Sequence, residues 1–497
     1  MSSSLAPQNI TEKGPTGVLQ MILTELKVQR GITIPLIAIN FTWFAKLAIT
    51  TAFLGRLGEL SLAGGTLGLT FGNVTGFSIL NGLCGAMEPI CGQAFGSKNF
   101  RLLHKTLVMA TCLLLVISVP IALLWLNVDK ILIGLGQQED IAIVAKTYLF
   151  YLLPNLVITS LLCPLKAYLS TQNITIPIML SSALAMAFHF PLNVLLSKAR
   201  GLEGISMAVW ISDFVVVLFL ALYVLISERR KPAIWSEGGW CDLGLGDWVN
   251  LLKLSGPCCL STCLEWWCYE VLVLLTGRLP NAKQTVGVLA IVLNFDYLLF
   301  SVMLSLSTCA SIRVSNELGA NHGGPASQAA YVLLGVSMVS GFLGALTMIS
   351  IRGVWGKLFS HNSGIIRGVK KMMLIMALLE VVNFPLAACG GIVRGTARPW
   401  LSTGANFFGF YILTLPIGIL LAFRFDLGLG GLLTGVVVGA AACFLVLLVF
   451  ISRIGWDKEA AKAQLLTSHL DTAAEIDCSN NSAPNKKTDV LEQIPRN

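Results

Sequence analysis

The sequence predicts an all-α polytopic membrane protein with about twelve transmembrane helices. They form two six-helix lobes related by a parallel pseudo-two-fold repeat. Three observations support this prediction: an apolar composition, a series of apolar stretches long enough to cross a bilayer, and an internal repeat. Of the 497 residues, 55% are hydrophobic and only 12% are charged, and the mean hydropathy is +0.76. Soluble domains average about 25% charged residues, so this composition indicates a membrane protein.

The apolar stretches define the predicted spans. A helix needs about 20 mostly apolar residues to cross a bilayer. Strands of a transmembrane barrel would be about ten residues long with alternating polarity, so the longer unbroken stretches favour helices. The predicted spans lie near 33–55, 62–86, 106–127, 142–163, 174–196, 204–226, 251–275, 286–309, 328–351, 371–393, 401–423 and 430–452.

The two halves of the chain match each other at an offset of 222–227 residues. Pro35 matches Pro257, and Gly96 in GQAFGSKN matches Gly319 in SNELGANH. Six spans in each half give both halves the same orientation, which is a parallel repeat, and one bundle is expected to rock against the other. The predicted parts are an N-terminal tail (1–30), an N-lobe (31–228), a linker (229–250), a C-lobe (251–453) and a C-terminal tail (454–497).

The distribution of basic residues predicts the orientation. An even number of spans places both termini on one side, and Lys27, Arg30 and Arg453 near the span ends favour the cytosol. Arg352 and Arg367, in a loop predicted to be outside, run against this bias. The net charge of +8 does not indicate a nucleic-acid partner, because no basic domain presents it. In the C-terminal tail, DKEAAKAQLL is expected to form a short helix on the membrane surface.

Three lone acids near the middle of predicted spans are the main functional signal. They are Glu265, Asp296 and Glu380. A carboxylate at bilayer depth is costly and is usually retained to hold a cation or relay a proton. The alternative is a structural ion pair with a lysine elsewhere, for which Lys46 is the candidate. All three acids belong to the second half of the chain; their counterparts in the first half are Trp43 and the neighbourhoods of Val74 and Ile158.

Residues beside these acids are further candidates. Glu270 lies five residues after Glu265, well round the helix from it, and is open between a site residue and a surface residue. Trp266 and Tyr297 flank the acids, and aromatic rings near carboxylates suit organic cations or flat aromatic substrates. Ordinary packing is the alternative for either ring.

Pro35 and Pro257 each remove a backbone hydrogen bond inside a span. Each is open between a static kink and a bend that differs between conformational states. Pro35 is the favoured mobile one, because the same span carries the polar residues Asn40 and Thr42.

The remaining ionisable residues are expected to be structural. His189 should be a hydrogen-bonded core residue, and Glu88 should contact the basic loop that follows it. Arg313 and Glu317 occupy the matching place in the second half and should behave alike. No P-loop, HExxH or GxSxG motif stands in a suitable context, and no zinc-like spacing occurs, so neither an enzyme nor a metal site is expected.

The chain resembles the multidrug and toxic compound extrusion (MATE) family, and within it the plant DETOXIFICATION group. The resemblance covers about residues 25–460 and is carried by Glu88 with CGQAFG, and by LEWWCYEVLVLLTGRLPN, RVSNELGAN and GIVRGTARP. It implies the MATE fold and cation-coupled antiport, with proton-binding acids in the second half and a bending proline in the first helix. By position these are Glu265, Asp296, Glu380 and Pro35. Many bacterial members have a first-helix aspartate, which GITIPLIAINFTWFAKL lacks, so an N-lobe proton site is not supported.

The expected function is a proton-coupled antiporter that exports or sequesters organic solutes, such as metabolites, hormones or xenobiotics, by alternating access. Its driving force would be a proton gradient, without a cofactor, and it would act as a monomer. The plasma membrane is favoured over the vacuolar or another endomembrane. LEWWCYE, NFDYLL and EVVNFP also resemble a plant subgroup linked to carbon-dioxide responses. The alternative function is therefore a solute- or bicarbonate-responsive signalling protein with a cytosolic partner. A major-facilitator transporter is disfavoured, because CGQAFGSKNFRLL lacks that class's charged loop motif.

Overall fold

The computed structural model describes residues 15–229, 244–465 and 467. The predicted linker therefore falls mostly outside the described residues, as do residues 1–14 and most of the C-terminal tail. Every regular element in the described part is helical. The all-α prediction is confirmed.

The first half contains ten helices and one π-helical turn, Asn73–Phe77, between α2 and α3. The α-helices are α1 (Pro15–Arg56), α2 (Glu59–Gly72), α3 (Ser78–Cys84), α4 (Met87–Gly96), α5 (Phe100–Leu126), α6 (Val128–Gly134), α7 (Glu139–Leu152), α8 (Pro154–Thr171), α9 (Ile176–Arg200) and α10 (Leu202–Arg229).

The second half has longer helices. They are α11 (Leu245–Thr276), α12 (Ala282–Gly319), α13 (Gly323–Phe359), α14 (Ser363–Gly395), α15 (Pro399–Asn406), α16 (Leu415–Ile419) and α17 (Gly428–Ser452). A π-helical segment, Phe407–Thr414, connects α15 to α16, and a second, Leu420–Arg424, continues the same helical path beyond α16.

Ten described helices are long and apolar enough to cross a membrane, and an eleventh span results if α7 and α8 count as one. Those two helices are bent by 50° at the break before Pro154. The predicted second span, 62–86, is helical from Glu59 through Cys84 but contains the π-helical turn and the polar residues Asn73 and Asn81. About twelve spans were expected; the difference lies in this polar, interrupted segment.

The hydropathy pattern placed the end of the eighth predicted span too early. The eighth span was expected to end near residue 309, but α12 continues to Gly319. The extension carries Arg313, which forms ion pairs with Glu317 at 2.9 Å and with Glu25 of α1 at 2.8 Å. Charged residues lower the hydropathy of this segment, but here they are paired, so the helix can continue beyond the point where the apolar stretch ends.

The two lobes meet at one end of the molecule, where α4 packs on the last turns of α12. We call this end the tail side, because the start of α1 and a short helix formed by residues 456–465 also lie there. The short helix expected in the C-terminal tail is thus present, and it packs on the protein. It contacts the C-lobe through an Arg398–Glu459 ion pair, and its Ala460 and Ala463 are buried.

Two glycines that match in the repeat lie against each other's helices at this contact. A Cβ on Gly96 would stand 2.1 Å from the Asn316 carbonyl oxygen, and a Cβ on Gly319 would stand 2.1 Å from the Gln93 carbonyl oxygen. Only a residue without a side chain permits this approach of the two backbones. The internal repeat therefore supplies both halves of the contact between the lobes.

Replacing Gly319 with Ala should prevent this contact from forming. The added methyl group would meet the backbone of α4, which cannot move aside as a flexible side chain would. We expect faster hydrogen–deuterium exchange in 93–98 and 316–321, and reduced transport. Gly324→Ala is the matched control, because a Cβ there meets nothing within 4 Å. Unchanged exchange in Gly319→Ala would contradict the close contact.

Candidate coupling site

Two of the predicted acids face each other inside the C-lobe. Asp296 on α12 and Glu380 on α14 are 9% and 2% exposed, and their carboxyl groups lie within hydrogen-bonding reach. Adjacent α12 and α14 pack along much of their length, which brings the two carboxyls together. Glu380 Oε1 has no hydrogen-bond partner among the described residues. Two carboxyls in this arrangement repel each other when both are ionised, so the pair is suited to hold one proton.

A tyrosine connects this pair to the third acid. Tyr269 lies one helical turn after Glu265 on α11 and is close enough to interact electrostatically with Glu265, Asp296 and Glu380. Its hydroxyl accepts a hydrogen bond from Asn383 Nδ2 at 3.4 Å. The three acids, which lie on three different helices, are therefore all close to one phenol.

Neither Tyr269 nor Asn383 was singled out as a site residue from the sequence. Asn383 lies three residues after Glu380, so the two share one face of α14. That spacing, in EVVN, was the available signal. An amide one turn away from a lone acid is polar in an otherwise apolar helix.

Glu265 is partly exposed and makes no direct ion pair among the described residues. Arg394 on α14 interacts with Glu265 electrostatically. Arg394 itself donates from Nε to Glu88 Oε2 at 2.7 Å, across the interface between the lobes. The expectation that Glu88 contacts the basic loop after it was wrong. The loop residues follow Glu88 in sequence, but the fold places α14 of the other lobe beside it.

Lys46 does not pair with the C-lobe acids. It forms an ion pair with Asp213 within the N-lobe. The structural alternative for the three acids, in which they neutralise this lysine, is therefore wrong. His189 is a hydrogen-bonded core residue as predicted, with Ser212 Oγ 2.8 Å from its Nδ1 and Thr50 Oγ1 3.2 Å from its Nε2.

The flanking aromatic candidates each pack against another aromatic ring, Tyr297 across to the N-lobe and Trp266 within the C-lobe. Tyr297 stacks on Phe44 of α1 with ring centroids 5.7 Å apart, and Trp266 meets Phe300 edge-on at 5.3 Å. Glu270 is half-buried and lies near Tyr297. Roles for these three candidates in substrate binding stay predictions.

The two prolines lie in uninterrupted helices, Pro35 in α1 and Pro257 in α11, and both are buried. The carbonyl oxygen of Pro257 accepts a hydrogen bond from Thr403 Oγ1 at 2.8 Å. Near Pro35, Asn40 Nδ2 donates to Ser305 Oγ of α12 at 2.9 Å. The helix that bears Pro35 is thus attached to the helix that bears Asp296.

Two helical halves related by a repeat, with a buried pair of carboxyls inside one of them, define a class: a secondary transporter built on a parallel repeat. No group of three or more His, Cys, Asp or Glu side chains with metal-binding geometry occurs in the described ranges.

The chain belongs to the MatE family, whose model matches residues 35–195 and 257–420. It is 59% identical to Protein DETOXIFICATION 56 of Arabidopsis thaliana over 95% of this chain and 96% of that protein. It is 38% identical to Protein DETOXIFICATION 51 of Arabidopsis thaliana over 90% of this chain and 84% of that protein. These matches confirm the predicted membership of the plant DETOXIFICATION group, and identify a secondary transporter rather than an enzyme.

A solved structure shows the same fold. The crystal structure of the eukaryotic MATE transporter AtDTX14 superposes with a TM-score of 0.84 at 30% identity, covering 90% of this chain and 100% of that chain. A mutant of the Vibrio cholerae MATE transporter VcmN, at 17% identity, superposes with a TM-score of 0.77 and supports the fold alone. The predicted MATE fold is confirmed, and the protein is an integral multi-pass membrane protein.

Proposed function

We propose that this protein is a proton-coupled antiporter of organic solutes, with Asp296, Glu380 and Glu265 as its coupling site. The observation that carries the proposal is the buried contact between the Asp296 and Glu380 carboxyls. A pair that holds one proton changes charge by one unit when it loses or gains that proton. A cationic or hydrogen-bonding solute that needs the deprotonated pair then competes with the proton for the same carboxyls.

Competition couples the two movements when the lobes alternate. In the structure the tail side is closed by α4 against α12, so the coupling site reaches that side only after the lobes separate there. A proton that binds from the acidic compartment would displace the solute, and release of the proton into the other compartment would restore affinity for it. Tyr269 and Asn383 position the acids through the hydrogen bond between them.

The direct test is solute flux in proteoliposomes that contain the full chain, with an imposed pH gradient. We expect uptake of organic cations to depend on the pH gradient and to persist when sodium is replaced by choline. Flux driven by a sodium gradient at constant pH would show that sodium, and not the proton, is the coupling ion. Absence of flux under every gradient would favour the alternative, a solute-responsive signalling protein acting through a cytosolic partner.

We further propose that both termini face the cytosol and that the protein acts as a monomer in the plasma membrane. Basic residues near the tail side, such as Lys27 and Arg453, support this orientation. Epitope tags at both ends should be inaccessible in sealed right-side-out vesicles and should become accessible after permeabilisation. External accessibility of both tags would contradict the proposed orientation. Enrichment of the protein in vacuolar membranes would contradict the proposed location in the plasma membrane.

Pro35→Ala should slow transport about 5- to 20-fold without loss of expression, if bending of α1 accompanies the change between states. Alanine restores the missing backbone donor and straightens the helix. The effect should appear in the rate of flux rather than in solute affinity, since Pro35 is not part of the proposed coupling site. The matched control is Pro120→Ala in α5, another proline inside a helix. Equal flux in both variants would make Pro35 a static kink.

A further inference from the structure

The N-lobe contains a polar cavity that the proposed coupling mechanism does not use. Its volume is about 130 Å³, and it lies among α1, the α2–α3 path, α8, α9 and α10. Sites for drug-sized molecules occupy about 300–1,000 Å³, so this volume suits a smaller ligand. Its lining includes the charged side chains Lys46, Lys166 and Asp213.

The charges of this cavity do not balance. Lys46 and Asp213 form an ion pair, with side chains 13% and 14% exposed. Lys166 also lines the cavity but has no hydrogen bond or ion pair with any described residue; Asp213 interacts with it only at longer range. One ammonium group therefore remains without a neutralising partner inside the lobe. A charge inside a membrane-spanning lobe is costly unless something of opposite charge pairs with it, even where the side chain is only partly buried, as Lys166 is.

Two neighbouring polar groups also lack partners. Asn155 and Ser182 line the same cavity and are 4% and 7% exposed. Asn155 Oδ1 and Ser182 Oγ make no hydrogen bond to the described part of the protein. A serine hydroxyl can donate to an anion, and so can an asparagine amide, whose oxygen and nitrogen exchange places by a side-chain flip. Buried polar groups are normally satisfied, so both point to a ligand.

The internal repeat makes this cavity the N-lobe counterpart of the coupling site. Asn73 and Asn155 line it, and they stand at the 222–227 residue offset from Asp296 and Glu380. Each of the two C-lobe carboxyls thus has an asparagine in the corresponding region of the N-lobe. The N-lobe cavity also holds two lysines, whereas the C-lobe site has three acids around Tyr269. The two halves therefore carry equivalent sites of opposite polarity.

We propose that the N-lobe cavity is a binding site for a small organic monocarboxylate. Lys166 would pair with the carboxylate, while Asn155 and Ser182 donate hydrogen bonds to its oxygens. The lining side chains Trp43, Phe77 and Val209 would contact an apolar or aromatic body. A carboxylate has two acceptor oxygens, which matches several convergent donors better than a spherical ion does.

The test measures equilibrium binding of radiolabelled benzoate to the full chain in lipid nanodiscs. Benzoate joins a carboxylate to a flat apolar body; benzamide and benzylamine have similar bodies with neutral and positive head groups. We expect benzoate to bind at least about tenfold more tightly than either analogue, a difference typical of one charge-assisted contact. Equal binding of benzoate and benzamide would overturn the proposal, because it would mean that Lys166 presents no charge to the ligand.

Variants assign the binding to this cavity. Lys166→Gln should weaken benzoate binding at least about tenfold, and Lys166→Arg should restore most of it, because arginine keeps the charge and binds carboxylates. Asp213→Asn should tighten binding, since it removes the only acid that lines the cavity. Lys146→Gln, at a lysine paired with Asp129 at 2.8 Å, is the matched control and should leave binding unchanged. Benzoate binding that survives Lys166→Gln in a variant with wild-type thermal unfolding would contradict the assignment.

The same assay separates this site from the coupling site. Glu380→Gln removes a proton-binding group in the C-lobe but leaves every residue that lines the N-lobe cavity in place. Benzoate affinity should therefore persist in Glu380→Gln, whether or not that variant still transports. Loss of benzoate binding in Glu380→Gln would place the anion in the C-lobe and overturn the proposal.

Discussion

Glu380→Gln is expected to abolish gradient-driven transport while the protein still folds. Glutamine keeps the size of the side chain and can donate a hydrogen bond to Asp296, as a protonated Glu380 would. It cannot release or bind a proton. The site would then no longer share one proton between two carboxyls, and the competition between proton and solute at the pair would be lost with it. We expect flux to fall about 10- to 100-fold, the usual size of a coupling between two bound species.

Asp296→Asn should have a similar effect, because the two carboxyls act as one pair. The matched control is Glu139→Gln, at an exposed acid that begins α7. Flux is measured in proteoliposomes under a pH gradient, and folding by size-exclusion elution and thermal unfolding. Normal gradient-driven flux in both Glu380→Gln and Asp296→Asn would refute the assignment of the pair as the coupling site.

Arg394→Gln is expected to open the tail side. Arg394 donates to Glu88 at 2.7 Å across the interface between the lobes, and their side chains are only 23% and 15% exposed. Removing one partner of a buried, hydrogen-bonded charge pair typically costs about 2–5 kcal/mol, largely because the other charge is left unpaired. The closed arrangement alone contains this pair, so its loss should shift the population toward separated lobes.

Hydrogen–deuterium exchange of 93–98 and 316–321 measures this shift. We expect faster exchange in Arg394→Gln and in Glu88→Gln, and partial recovery in the reversed pair Glu88→Arg with Arg394→Glu. Arg424→Gln, at an exposed arginine in the same lobe, is the control. If exchange at the tail side stays at the wild-type rate in both single variants, the pair does not hold the lobes together.

The lone acids were predictable because a membrane penalises charge. Glu265, Asp296 and Glu380 stand out in apolar stretches whether or not the fold is known. The sequence also indicated that they belong to one half of a repeat. It did not indicate that Asp296 and Glu380 touch while Glu265 lies beside Tyr269. Those contacts depend on how α11, α12 and α14 are rotated about their own axes, and every helix in the C-lobe influences that rotation.

Ion-pair partners were the least predictable feature. Glu88 was expected to contact the nearby basic loop, and Lys46 was the candidate partner in the structural alternative for the C-lobe acids. The structure pairs Glu88 with Arg394 and Lys46 with Asp213, each separated by more than 160 residues in the chain. Coulomb attraction depends on distance in space, so proximity in sequence is a poor guide to a partner.

By itself the sequence determined the helical class, the two-lobe repeat and the family, because hydropathy and repetition are properties of the chain alone. It also marked the costly acids. The tertiary structure decided which charges meet, as in the Asp296–Glu380 contact and the Glu88–Arg394 bridge between the lobes. It also decided which charge is left without a partner, namely that of Lys166. Pairing is a matter of a few ångströms between separate helices, and only the packing of the whole protein sets those distances.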